Sequence, residues 1–263
     1  MKHINYIDSL SKFTAAIDNI KKQHKTVLYR GQPNIRSKLL PQVARSITKS
    51  GETEANMLAV INLYGREYID LPNPTTCQLL VQAHNAGLET RLLDWSVDPY
   101  EALWYACHSP GSQPHVYMLI ADDIPSLGID ENPFEIEQLH IMPVNPGSPY
   151  KNKRLTAHPS RLENGEPQFT ALEDEDGLQS LLTELPIMPD LKDKIIYELN
   201  EMGINEHSIY NSLYGLCRHI NLMYDNNQCS RITPEDADLP ADASADGDLK
   251  QFKKKYVPDF DFD

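Results

Sequence analysis

The sequence predicts an α+β fold, and three observations carry that expectation. Several stretches repeat apolar residues at spacings of three and four, the period of an amphipathic helix. Other short runs are β-favouring and end at glycine or proline. The two kinds do not alternate regularly, so a doubly wound parallel sheet fits poorly. With 263 residues, 40% of them apolar and 24% charged, the chain suits one large domain or two small ones with a sizeable core.

The elements follow in order. Ile7, Leu10, Phe13, Ile17 and Ile20 lie on one face of a helix over 6–22. Val27-Leu28-Tyr29 is a strand that Arg30-Gly31-Gln32-Pro33 should end. Met57, Ile61, Tyr64 and Tyr68 mark a second helix over 52–69. A third, over 75–86, is capped by Thr75 or Thr76 and closed at Gly87. Asp98-Pro99-Tyr100-Glu101 starts a fourth, with Asp98 as cap, Pro99 at the first turn and Glu101 completing an arrangement like a capping box. His115 to Ala121 reads as a buried strand, and 138–144 and 168–172 as further strands. Lys192 to Met202 is a helix closed by Gly203, and Ile209, Leu213, Leu216, Ile220 and Met223 give one more over 208–224. After Pro234 the run PEDADLPADASADGD is too polar to fold alone, so 231–263 reads as an acidic linker and tail.

Charge and missing motifs exclude much. The formal net charge is −14, and residues 234–263 hold nine acids and four lysines, a net of −5. Broad nucleic-acid binding needs a basic surface and is not expected, although a local basic pocket for one phosphorylated ligand is compatible with the balance. Cys77, Cys107, Cys217 and Cys229 lie far apart, as free thiols of a reducing compartment do. With no uninterrupted apolar run behind Met1-Lys2-His3 and no membrane-spanning stretch, the expected location is the cytoplasm and no membrane partner is expected. There is no Gly-x-Gly, no Gly-Lys-Ser/Thr, no paired-histidine zinc spacing and no Gly-x-Ser-x-Gly, so no local metal site is expected.

Two segments carry the chemistry. In Leu28-Tyr29-Arg30-Gly31-Gln32 an arginine at the end of a strand can aim a planar, two-oxygen donor fork at a pyrophosphate, and glycine lets a ligand approach the backbone. A structural ion pair is the other reading of Arg30. In Thr90-Arg91-Leu92-Leu93-Asp94-Trp95 a hydroxyl, a cation, an anion and an indole lie within six residues, just before a capped helix. There too a plain account exists, in which Arg91 pairs with Asp94 and Trp95 is core.

Together the segments resemble the FRG domain family, found widely in bacteria and phages. The pattern is met by Tyr29-Arg30-Gly31, by Leu40-Pro41 and Arg45, and by Gly87-Leu88-Glu89-Thr90-Arg91-Leu92-Leu93-Asp94-Trp95-Ser96 with Pro99, Ala102-Leu103 and Tyr105-Ala106. Arg161-Leu162 with Phe169-Thr170, and Gly203-Ile204 with Ser208-Ile209-Tyr210, match two later elements. The resemblance spans roughly 25–225, and it sets an FRG-like domain over 25–230 behind an N-terminal helix over 1–24. Glu89 stands where the family usually has proline, His84-Asn85 replaces its Gln-His, and Gly165-Glu166-Pro167 replaces the usual Gln-x-Gly.

The family in turn resembles ADP-ribosyltransferases distantly. That likeness implies a mainly antiparallel mixed sheet with flanking helices, and NAD as a substrate cleaved at its nicotinamide–ribose bond. It implies Arg30, Gly31, Gln32, Thr90, Arg91, Asp94, Trp95 and Ser96 around the dinucleotide, with Arg30 also catalytic and Glu166 or Glu163 as the carboxylate. It further implies transfer to a protein or nucleic-acid target, in phage–host conflict or as a toxin. NAD hydrolysis, or a module that binds a nucleotide or a protein without chemistry, is the alternative.

Overall fold

A computed structural model describes residues 2–3, 6–34, 38–45, 51–69, 71–109, 111–143, 151–163 and 166–225. The chain divides into two compact units, Met1–Asp193 and Lys194–Asp263, a division that falls inside 25–230.

The first unit is built on a seven-stranded sheet. Its strands are β1 (Lys2–His3), β2 (Val27–Gln32), β3 (Leu92–Ser96), β4 (His115–Ile120), β5 (His140–Ile141), β6 (Lys153–Ala157) and β9 (Leu182–Pro186). The spatial order is β1-β9-β4-β2-β3-β6-β5, with β1 parallel to β9 and every other neighbour antiparallel. This is the expected α+β class. A separate hairpin pairs β7 (Arg161–Glu163) with β8 (Glu166–Gln168).

Helices α1 (Leu10–Lys21), α2 (Gly51–Tyr64), α3 (Thr76–Asn85) and α4 (Pro99–His108) belong to this unit. Ser9 caps α1, and Ile7 lies outside the helix in a bridge to Ile187, so the predicted start at residue 6 comes too early. Thr75 and Gln78 form a capping box on α3, and Gly87 closes it at φ +100°, a left-handed value that suits glycine. Asp98 caps α4 through Tyr100 N at 2.8 Å. Glu101 makes no capping box; it accepts from Ser96 Oγ and Asn152 Nδ2, both at 2.6 Å, and ties α4 to the ends of β3 and β6.

Alternation along the strands separates the two sheet faces. On one, Leu92, Leu155 and Ala157 pack with Leu58 of α2 and Cys77, Leu80 and Ala83 of α3. On the other, Leu28, Leu93, Trp95, Tyr117, Leu119 and Leu182 pack with Leu39, Leu139 and Leu172.

Several strand expectations need correction. Strand β2 does not stop at Tyr29 but runs through Arg30 and Gly31 to Gln32, because β4 pairs with all six of its residues. The strand expected at 168–172 lies earlier, at Glu166–Gln168; Leu172 turns away and donates its backbone N–H to Leu39 O at 3.1 Å. Strands β1, β3, β6, β7 and β9 had no counterpart in the expectations.

In the second unit α5, which begins just before it, covers Lys192–Glu201; α6 covers Glu206–Tyr210 and α7 Leu213–Asp225. The single helix expected over 208–224 is two. Asn211 adopts a left-handed φ of 39°, which asparagine tolerates, and the Ser212 hydroxyl caps the next helix through Gly215 N at 3.2 Å. Arg218 of α7 bonds Glu206 of α6 at 2.8 Å. The acidic linker and tail expected over 231–263 lie outside the described residues. No helix among the described residues is long and apolar enough to cross a membrane.

Candidate functional site

Arg30 sits on β2, the central strand, between β4 and β3. Strands β2 and β3 share a single register pair, Tyr29 with Ser96. Beside that pair, Arg30 Nη1 donates to the Asp94 carbonyl of β3 at 2.6 Å. That bond fixes the fork without neutralising it. Among the described residues no carboxylate pairs with Arg30, and its buried Nε meets no acceptor. Burial pushes the guanidinium below its usual pKa, Asp94 opposes that shift, and Arg45 adds repulsion. An arginine stays charged under such pressure, so the local field favours an anion.

Gly31 lets α4 close on the strand. A Cβ there would lie 1.8 Å from the Ala102 carbonyl of α4, so the glycine admits the helix backbone on the face opposite Arg30.

The Thr90-to-Ser96 block is likewise divided by the pleat. Trp95 shares the Arg30 face, is buried in the core and donates its indole N–H to Thr156 at 2.9 Å. Asp94 points to the helix-bearing face. There it meets His84 of α3 at 3.2 Å and Lys153 of β6 at 2.6 Å. Burial resists its ionisation, but His84 and Lys153 outweigh burial and hold the carboxyl far below the usual range. The other nitrogen of His84 lies 2.8 Å from the hydroxyl of buried Thr90. Ser96 is buried and bonded to Glu101. Arg91, only 1% exposed, pairs with fully buried Glu54 of α2 at 2.9 Å and donates to the Pro133 carbonyl at 3.1 Å. Phe134 and Phe169 lie 4.5 and 5.5 Å from its guanidinium carbon. Arg91 and Asp94 therefore do not pair with each other, and Arg91 knits interior elements together.

What the fold does gather beside Arg30 is a row that the motif reading missed. Register places Arg30 opposite Tyr117 and Tyr117 opposite Glu184, across β2, β4 and β9. One step along, Gln32 stands opposite His115, whose ring meets Tyr117 edge-on at 4.8 Å. On the other side His158, which follows β6, is held neutral, its pKa pushed down to about 3 by burial and then by Arg30 and Arg91. Gln32 Oε1, His115 Nε2 and His158 Nε2 are buried and meet no partner among the described residues. A legible signal existed: in His115-Val116-Tyr117 every second residue of a buried strand is polar, which a plain core strand avoids.

Glu163 and Glu166 face each other in the β7–β8 hairpin, outside the seven-stranded sheet, and their side chains lie outside the described residues. Among the described residues no three His, Cys, Asp or Glu side chains gather as around a metal ion. A separate cleft of about 710 Å³ opens at the end of α1, lined by Lys21, Lys22, His24 and Lys25 with Val27 and Val97.

Residues 25–114 match the family model of the FRG domain, which supports that family for the segment carrying Arg30 and the Thr90-to-Ser96 block. The match ends before the Arg161 and Gly203 elements. No curated protein and no solved structure matches the chain.

Proposed function

We propose that the protein binds a pyrophosphate-bearing nucleotide, NAD in the first instance, on the Arg30 face of the central sheet, and transfers ADP-ribose from it to a macromolecular target. The observation that carries this reading is Arg30 itself. Among the described residues its fork is held by a backbone carbonyl, carries no carboxylate, and adjoins buried polar atoms without a partner. A phosphate supplies the missing anion, and a guanidinium binds two of its oxygens at once.

Transfer would break the nicotinamide–ribose C–N bond, with the electron pair leaving on neutral nicotinamide. The positive charge that develops on the ribose is stabilised by a nearby carboxylate. Glu163 and Glu166 of the hairpin and Glu184 of the sheet are the candidates. The acceptor then adds at the ribose carbon and gives up its proton.

Incubation with labelled NAD and a cell lysate tests the reading. Nicotinamide release with labelled protein or nucleic acid, abolished in Arg30→Ala, is the expected result. Free ADP-ribose as the sole product would mark a glycohydrolase instead. No nicotinamide release, with Arg30→Ala indistinguishable from wild type, would count against any NAD chemistry. One observation favours a binding module without turnover: the hairpin bearing Glu163 and Glu166 is a sheet of its own. Tight nucleotide binding with no product would select that alternative.

A further inference from the structure

Gln32 and His115 are partners in the β2–β4 register and point to the same face as Arg30. Both are enclosed, Gln32 at 4% and His115 at 1% exposure. The His115 Nδ1 lies 3.0 Å from the Gln113 carbonyl, so that nitrogen carries the hydrogen and Nε2 presents a lone pair. Burial keeps the ring below its ordinary pKa, against weaker opposing effects of Gln113 and Glu184. Nε2 is thus an acceptor at neutral pH, and among the described residues it meets no donor. Gln32 Oε1, across the ladder, is a second acceptor in the same condition.

Two adjacent buried acceptors without donors are rare in folded proteins, because each is costly to desolvate. Two residues along the same strand, about 7 Å away, the Arg30 N–H has the opposite need. The three atoms together describe a ligand that carries an anion at one end and two hydrogens at the other.

We propose that Gln32 and His115 form an acceptor pair that takes a two-donor group of the ligand, a carboxamide NH2 or a vicinal diol, in the molecule whose phosphate Arg30 holds. This rests on the NAD reading and specifies which part of the dinucleotide confers selectivity.

Calorimetric titration of the intact protein with NAD, with its deamido form, with ADP-ribose and with inorganic pyrophosphate tests the pair, using wild type, Gln32→Leu and His115→Phe. Thermal melts identify any variant that has not folded; for such a variant Gln32→Met or His115→Leu, which also lack the acceptor, is substituted. Each variant should weaken NAD at least tenfold and leave pyrophosphate binding unchanged, since Arg30 is intact. If a carboxamide fills the pair, deamido-NAD binds wild type at least tenfold more weakly than NAD, because its carboxylate faces two lone pairs. If a diol fills it, deamido-NAD and ADP-ribose bind as NAD does. Folded variants that bind NAD within twofold of wild type would overturn the acceptor pair while leaving the NAD reading standing. Wild-type protein that binds none of the dinucleotides overturns both.

Discussion

The Ala102 carbonyl of α4 lies 1.8 Å from where a Cβ on Gly31 of β2 would sit, so helix backbone rests directly on strand backbone. Nothing flexible stands at that contact to give way. Gly31→Ala must therefore push α4 off the sheet or bend β2, an overpacking that costs about 3 kcal/mol or more. Urea denaturation of the two proteins measures it. A Gly31→Ala protein as stable as wild type would mean that α4 is not seated on β2 as described.

The pair between Arg91 and Glu54 makes a second prediction. Both side chains are buried, and removing one partner leaves a charge in the interior with nothing to balance it. Glu54→Ala and Arg91→Met should each destabilise the fold by about 3–5 kcal/mol. The comparison also separates two roles for Arg91. If Arg91→Met keeps wild-type stability and loses nucleotide binding, the arginine is a ligand group rather than an interior tie.

These cases show what the chain makes legible. The helices of the first unit could be read because their signals are local (the Thr75-Gln78 box, Asp98-Pro99, the 3.6-residue apolar period), but the one expected over 52–69 stops at Tyr64, before Gly65, and Arg66–Tyr68 make a separate 3-10 turn. The family motif was legible for the same reason, since its residues are contiguous. The side to which each residue points was not, because alternation is meaningful only once the strand is known. Thr90 to Ser96 looks like one surface in sequence, but β3 sends Asp94 and Trp95 to opposite faces. The row from Arg30 to Tyr117 to Glu184 joins residues on three strands and depends on register alone. Strands β6 and β9 are short, and what makes them strands is the neighbour each one pairs with. The break between α6 and α7 was written in Asn211-Ser212, a left-handed stop followed by a cap, but an apolar period running unbroken across it hid the stop.

Stability should fall in mild acid for a reason located at His158. Its folded pKa is pushed down to about 3, whereas the unfolded ring titrates near its ordinary value of 6.5. Above that value both states are neutral and the group has no effect. As pH drops below it the unfolded chain takes up a proton that the native one refuses. Stability then falls by up to about 1.4 kcal/mol per pH unit until the folded pKa is reached. Asp94, held low by His84 and Lys153 against burial, adds its own loss only at more acid pH, below the ordinary carboxylate range. Urea midpoints at several pH values between neutrality and about pH 4 should show this slope, flattened in His158→Gln. An equal slope in that variant would assign the effect to other groups.

The thiols give the last prediction. Cys77 lies under α3 against the carbonyls of Gly128 and Glu131, and burial, with Glu131 and Asp130 nearby, pushes its pKa up to about 11. Cys107, on α4, is pushed up to about 12 by burial, against a smaller pull from Lys192. The thiolate is the reacting species, so near neutral pH both are protonated as well as enclosed. Cys217 on α7 is exposed. Brief treatment of the native protein with iodoacetamide, followed by peptide mass spectrometry, should therefore modify Cys217 and spare Cys77 and Cys107. Both of those should react only after urea unfolds the first unit. Labelling of Cys77 in native protein at the rate of Cys217 would show that the α3 face opens readily, and the packing of α3 on β3 and β6 would have to be redrawn.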